Sequence, residues 1–421
     1  MEKLKRIIFY LIMILLTLTI VEIIAQTSYY IIFKERYSIN NLLSHVKEKR
    51  DKLHRLDSTI SEINHPYVGY VWEYYDREHN NRQHGFMADN PPVLKKEKDK
   101  LNVALVGGSV ALKLGRFLEN ELKRASGLSP RIITLALGGY KQPQQLLALN
   151  YFIALGAEYE VIINVDGFND IVLPIAENRK DGINPFFPRG WDLRLFRHEQ
   201  TLSLWEKAKK LLPKEKEFVA GLSSGFGRNS AIYGMLNWVW FRKLNYDINK
   251  TQREIVRRQS KVEKSFEETG PSVPYGDVNQ LYYDLAEVWA RSSLLINNLA
   301  SQNGTEYYHF LQPNQYYENS KELTEEEVRT AYNENHPYRG PAVIGYPIII
   351  NLGKAMLENK IRFFDATMLF ADEKGTIYID DCCHYNKKGN EIFSAYIISN
   401  ILANTKIDKL KSIHKYGQDD N

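Results

Sequence analysis

Apolar residues recur along this chain in runs of two lengths, and each length predicts a different element. From Ile7 to Val21 fifteen residues are broken only by Thr17 and Thr19, and after Glu22 the apolar character resumes with Ile23-Ile24-Ala25. Bridging Glu22 gives about 19 residues, close to the roughly 20 that cross a hydrocarbon core as a helix. The shorter runs Asn102–Val106, Arg131–Leu137, Val161–Val165, Glu306–Leu311 and Ile361–Phe364 read as buried strands. Helical segments separate or follow them at Ala111–Arg124, Gln144–Leu155, Asp277–Ala300 and Ile348–Glu358, with a last helix from near Lys388 to about Leu402. This alternation predicts right-handed βαβ units, hence a three-layer α/β sandwich around a parallel sheet of about five strands.

Three stretches depart from that rhythm. Over 27–64, Leu42, Leu43, Val46, Leu53 and Leu56 recur at near-helical spacing around the charged run Lys47–Lys52. A stalk helix is expected, with a helix lying on lipid as the competing reading. Residues 65–100 carry Tyr67, Tyr70, Trp72, Tyr74 and Tyr75, expected to cover one edge of the sheet; a sugar-binding platform is the alternative. Residues 172–275 hold a loop with Pro185 and Pro188, a basic amphipathic piece at Trp205–Leu212, the Gly/Ser stretch Gly221–Ser230 and a charged segment from Lys250 to Glu268. This insertion reads as a lid, a substrate-selecting wall or a partner surface. The expected organisation is thus an anchor at 1–26, a stalk at 27–64 and one catalytic-type domain at 65–421. Within that domain, Thr324 with Glu327 three residues on marks a helix start.

Composition refines this little. The 421 residues are 44% hydrophobic and 25% charged, which suits one large domain or one and a half. A net charge of +4, spread along the chain without a basic cluster interleaved with aromatics, excludes the nucleic-acid binders. Lys3, Lys5 and Arg6 before the first apolar run place that end in the cytoplasm and everything after about residue 26 outside it. A cleaved signal ending at Ala25 is the alternative, although Ile23 is a poor match to the small residue that cleavage favours. Cys382 and Cys383 are adjacent, so they cannot clamp distant parts of the fold. No CxxC pair or His-x-x-x-His spacing supports a metal site, and no cofactor is expected.

The candidate chemistry lies in four short segments: Gly107-Gly108-Ser109, Gly138-Gly139, Gly167-Phe168-Asn169-Asp170 and Asp381-Cys382-Cys383-His384. The first three sit directly after predicted strands, at the carboxyl edge where open parallel sheets collect their functional residues. Ser109 is a candidate nucleophile at a helix N-terminus, and its own N–H, that of Gly139 and the amide of Asn169 are candidate oxyanion donors. His384 is the candidate base, and Asp381, three residues before it, the expected orienter of its imidazole. Asp170 is expected to brace its loop.

The order Ser, Gly, Asn, Asp-x-x-His resembles the SGNH hydrolases, or GDSL-type esterases, over roughly residues 100–175 and 360–403. The stretches Ala136–Gln145 and Val165–Asp170 look like a membrane-anchored bacterial branch of that family. The resemblance implies a flavodoxin-like sheet and attack by Ser109 on an ester to give an acyl-serine, with water or a sugar hydroxyl taking the acyl group. Extracytoplasmic placement points to O-acyl esters of an envelope glycan or lipid as substrate. Gly108 departs from the family, which usually has Asp there. Two rivals follow: an O-acyltransferase using the same residues, and a catalytically silent envelope scaffold.

Overall fold

A computed structural model describes residues 2–51, 62–72, 83–86, 90–195, 199–222, 224–225, 227–259, 263–272, 276–408 and 410. Leu53, Leu56, Tyr74 and Tyr75 lie outside the described residues. The chain divides into two compact units, one of residues 62–195 and 264–421, the other of 1–61 and 196–263.

The first unit opens with an antiparallel hairpin, β1 (Glu62–His65) with β2 (Gly69–Trp72). The five strands β3 (Lys100–Gly107), β4 (Ser129–Thr134), β5 (Val161–Asp166), β6 (Glu306–Leu311) and β7 (Arg362–Asp365) then form a parallel sheet in the order β4-β3-β5-β6-β7. This is the expected flavodoxin-like arrangement. The chain lays β4 on one side of β3 and β5 on the other, so the strand order reverses there. The switch point therefore lies beyond the carboxyl ends of β3 and β5, the position where such sheets usually open a binding crevice. Every residue of β5 is buried, as a strand covered on both faces requires.

The strands and helices are as predicted within a few residues, with two informative differences. β4 stops at Thr134, and Leu135–Leu137 leave the sheet for the Gly138-Gly139 turn while staying buried. The helix expected from Ile348 begins at Arg339 and runs through Pro347 to Glu358. Proline is costly in a helix interior, but packing prevails. Gly345 lies so close to Ile171, and Gly353 to Phe363, that a Cβ at either would come within 2.2 Å and 2.3 Å of those side chains.

The second unit is all helical. The N-terminal helix runs from Glu2 to Phe33, 32 residues, well past the end of the predicted span. Helix Ile39–Asp51 follows, and the insertion contributes Glu199–Leu222 and Ala231–Gln259. Tyr29, Leu42, Val46, Leu222, Trp238 and Phe241 form their shared core. Within the range expected as a stalk, helix Ile39–Asp51 places Leu42 and Val46 in this core, and the insertion is divided between the two units.

Candidate active site

Ser109 is the first residue of helix Ser109–Ser126, directly after β3, with Gly108 as its cap residue. A helix start leaves its first N–H groups without intrahelical partners, so the Ser109 N–H and hydroxyl both stand at the crevice. Gly107 makes this sharp junction: its φ is +146°, and a Cβ there would lie 2.1 Å from the Val165 carbonyl oxygen.

His384 meets Ser109 from the far end of the sequence. Its Nε2 lies 2.7 Å from Ser109 Oγ and its Nδ1 2.5 Å from Asp380 Oδ2. The partner is thus Asp380, four residues before the histidine, and not Asp381. The turn explains the correction. Tyr378 bridges to Tyr385, and Ile379 N–H donates to the His384 carbonyl, so residues 380–383 bulge from the neck of a tight loop. They wrap around the Asp380 carboxylate, whose Oδ1 accepts the N–H groups of Cys382, Cys383 and His384 at 3.1, 3.2 and 3.3 Å. Asp381 points elsewhere: its carboxylate is 3.6 Å from His336 Nε2, and its side chain is 46% exposed.

The electrostatics follow from this geometry. Burial disfavours charge on Asp380, but the His384 imidazole against it and the N–H groups around it prevail, holding the carboxyl well below its usual range. Burial likewise opposes an imidazolium at His384. The Cys383 sulfur and the Asp380 carboxylate outweigh it and move the His384 pKa above the ordinary histidine value.

The two loops at the switch point complete the site. Gly139 turns at φ +79°, and its N–H donates to no described residue. Its turn is tied to the hairpin by the Tyr70 hydroxyl, which donates to the Gly138 carbonyl at 2.8 Å. Tyr70 therefore does more than cover an edge. Asn169 is the second residue of the helix Phe168–Leu173 after β5, buried, and its Nδ2 donates to the Tyr140 carbonyl at 2.8 Å. Asp170 braces both loops, accepting from the N–H groups of Gln142 at 2.6 Å and Gly167 at 3.0 Å. Burial and the nearby Asp166 push its pKa up to about 8.

Gly108 now has a reason. A Cβ at this position would lie 2.2 Å from Asn169 Nδ2, so no side chain fits beside the amide. Its φ of −91° suits any residue, which leaves space as the constraint. Gly108→Ala is expected to push the Asn169 amide out of the crevice and to lower turnover by about 10²–10³, the usual effect of losing one oxyanion donor. Esterase assays on the folded variant check this, and unchanged turnover would remove Asn169 from the site.

Several supporting residues escaped the sequence reading. The segment after β6 holds the His384 turn by its backbone: Asn314 Nδ2 donates to the Cys382 carbonyl at 3.0 Å, Gln315 Nε2 to that of Asp380 at 2.9 Å, and the Tyr316 hydroxyl to that of Asp381 at 2.9 Å. A cluster of amides immediately after a strand was the available signal. Glu327 supports the neck of the turn, accepting from Ile377 and Tyr378 N–H, while making the expected capping box with Thr324. Arg189, within the predicted insertion, packs against Gly139 and forms a two-point ion pair with Glu177 at 2.8 and 3.0 Å.

A second Ser–His–Asp set exists. His309 lies between Ser293 Oγ at 2.8 Å and Asp166 Oδ1 at 2.7 Å, and Trp289 Nε1 also donates to Asp166 at 2.7 Å. His309 and Asp166 are sealed in the core, so this set braces β5 against β6 and can meet no substrate. Among the described residues, the donor atoms of Cys382, Cys383 and His384 lie within 4.8 Å of one another, close enough to share a metal ion. Both imidazole nitrogens already serve Asp380 and Ser109, so such an ion would have to break that relay.

No family model matches the chain, and no curated protein matches it. Among solved structures, the chain is similar to a lipase from a goat rumen metagenome at 13% identity and a TM-score of 0.28, over 71% of this chain and 97% of that one. At that distance neither fold nor reaction passes from one to the other.

Proposed function

We propose that the chain is a serine ester hydrolase of the SGNH type, anchored in a membrane by its first helix. The observation that carries the reading is the relay Ser109–His384–Asp380 at the mouth of the switch-point crevice, with distances of 2.7 and 2.5 Å. His384, its Nδ1–H directed at Asp380, presents a basic Nε2 to Ser109. As Oγ attacks an ester carbonyl, Nε2 takes its proton and Asp380 stabilises the imidazolium. The developing oxyanion is met by the N–H groups of Ser109 and Gly139 and the free hydrogen of the Asn169 amide. His384 then protonates the departing alcohol, leaving an acyl-serine that water cleaves by the same steps in reverse. The fit of Gly108 beside the Asn169 amide supports the reading of an active site over that of a silent scaffold.

The substrate class follows from location and is a step further: O-acyl esters of an envelope glycan or lipid. Purified full-length protein in detergent is expected to turn over short-chain acyl esters and to accumulate an acyl-enzyme on rapid quenching. Failure to cleave any ester or to form any adduct would overturn the reading.

The anchor reading carries its own prediction. The basic flank Lys3, Lys5 and Arg6 before the apolar helix orients residues after about 26 outward. A periplasm-active reporter fused after Asn421 should be active and a cytoplasm-active one silent. The reverse pattern would overturn the orientation, and recovery of a mature chain beginning near Gln26 would overturn the anchor.

A further inference from the structure

Between Arg6 and Lys34 the first helix carries one charged residue, Glu22, and this carboxylate is not left to lipid. Its oxygens accept the Ser230 hydroxyl at 2.5 Å, the Ala231 N–H at 2.7 Å, the Ile232 N–H at 3.3 Å and the Gln26 side chain at 3.1 Å. Ala231 and Ile232 open helix Ala231–Gln259, whose first N–H groups lack intrahelical partners. A negative side chain at a helix N-terminus meets both the free donors and the helix dipole. In an apolar medium an unpaired carboxylate and an uncapped helix start are each costly, and here each satisfies the other.

From that point helix Ala231–Gln259 runs beside the anchor in the same direction. Glu22 meets its start, and eleven residues on, Phe33 packs edge-on against Trp238 with ring centroids 4.8 Å apart. Gly234 makes room for the Tyr37 ring from the segment just after the anchor helix, since a Cβ there would fall 2.1 Å from that ring. The exposed residues of both helices over this length are apolar but for one: Ile23, Ile24, Tyr30 and Ile31 on the anchor, and Leu236, Val239 and Trp240 on its companion. The exception is Thr27, whose hydroxyl donates to the Ile23 carbonyl. Polar residues then return on both together, at Lys34 and Arg36 on one and Arg242 and Lys243 on the other.

We propose that this surface is in lipid: the hairpin of Glu199–Leu222 and Ala231–Gln259 is a second membrane-contacting element whose tip enters the outer leaflet beside the anchor. The proposal rests on the reading of the first helix as a membrane anchor. Counting about 20 residues of hydrocarbon core from Ile7 ends it near Gln26, so Glu22 lies about one helical turn inside the outer edge and the hairpin tip with it. Tyr30 and Trp240 fall at the interface, where such rings concentrate. Arg242 and Lys243 follow at the level of the headgroup phosphates, and Arg228 at the tip has a stem long enough to return to them. An open cleft of about 710 Å³ lined by Glu22, Ser224, Gly225 and Arg228–Ser230 lies at this tip.

Nitroxide labels test this on full-length protein carrying Cys382→Ser and Cys383→Ser, reconstituted in phosphatidylethanolamine–phosphatidylglycerol vesicles. Single cysteines would be placed at Leu236, at Val239, at Leu11 within the anchor and at Lys250 farther along the same helix. Labels at 236 and 11 should collide more with oxygen than with a water-soluble nickel chelate, the label at 239 should fall between the two regimes as an interfacial site does, and the label at 250 should show the opposite. Water-like behaviour at 236 and 239 with lipid-like behaviour at 11 would overturn the proposal and leave the anchor standing. Water-like behaviour at all four would overturn both.

Discussion

Ser109→Ala should lower ester turnover by about 10⁶-fold, the scale on which loss of a serine nucleophile collapses a relay of this kind. The size follows from the arrangement, because His384 Nε2 reaches Ser109 Oγ at 2.7 Å and no other hydroxyl among the described residues. Removing Oγ leaves the base with nothing to activate. The fold should be indifferent, since Ser109 caps nothing: the helix begins without a side-chain cap bond. Thermal unfolding of the variant should therefore match the parent while steady-state hydrolysis disappears. Undiminished hydrolysis would show that the nucleophile is elsewhere.

Asp380→Asn should be the next most damaging change, about 10⁴-fold in turnover by analogy with the same change in a well-studied triad. An amide oxygen at Oδ1 can still accept the three N–H groups of the turn, so the loop should hold. The amide nitrogen then faces His384 Nδ1 and donates to it. That favours the tautomer with its hydrogen on Nε2, which cannot take a proton from Ser109. Asp381→Asn should change turnover only about twofold, because exposed substitutions commonly move free energies by about 0.5 kcal/mol. Kinetics of the two folded variants side by side decide the matter; equal losses would dissolve the assignment of Asp380.

The pH profile gives an independent reading of the same pair. With its pKa raised, His384 stays protonated to a higher pH than an ordinary histidine. Turnover should thus fall on acidification with an inflection above about 6.5, the unperturbed value. Removing the Asp380 charge withdraws part of what favours the imidazolium, so the residual activity of Asp380→Asn should show its inflection displaced to lower pH. An inflection unmoved by that substitution would mean that another group controls the profile.

The sheet and three of the four site segments were legible because their signals are local. A Val/Ile/Leu run followed by glycine marks a strand end wherever the strand goes, and a parallel sheet brings such ends to one edge. The His384 turn was legible in position but not in detail. Spacing alone favoured Asp381, whereas the choice is made by backbone donors that gather only once the bulge at 380–383 has closed, and by amides from Asn314 and Gln315 some sixty-five residues earlier. Gly108 could be seen as a departure from the family its motifs resemble but not understood, since its constraint is the Asn169 amide arriving from another strand. The insertion was opaque for a similar reason. The second of its two long helices takes its meaning from Glu22 and Phe33, far away in the sequence, and the Glu22 that broke the apolar pattern is the residue that receives its start.

The measurement that bears most directly on the central claim is covalent labelling by a fluorophosphonate, with the modified peptide located by mass spectrometry. One adduct on Ser109 is expected, absent from Ser109→Ala and strongly slowed in Asp380→Asn. An adduct on any other residue, or no adduct on the folded wild-type protein, would contradict the account.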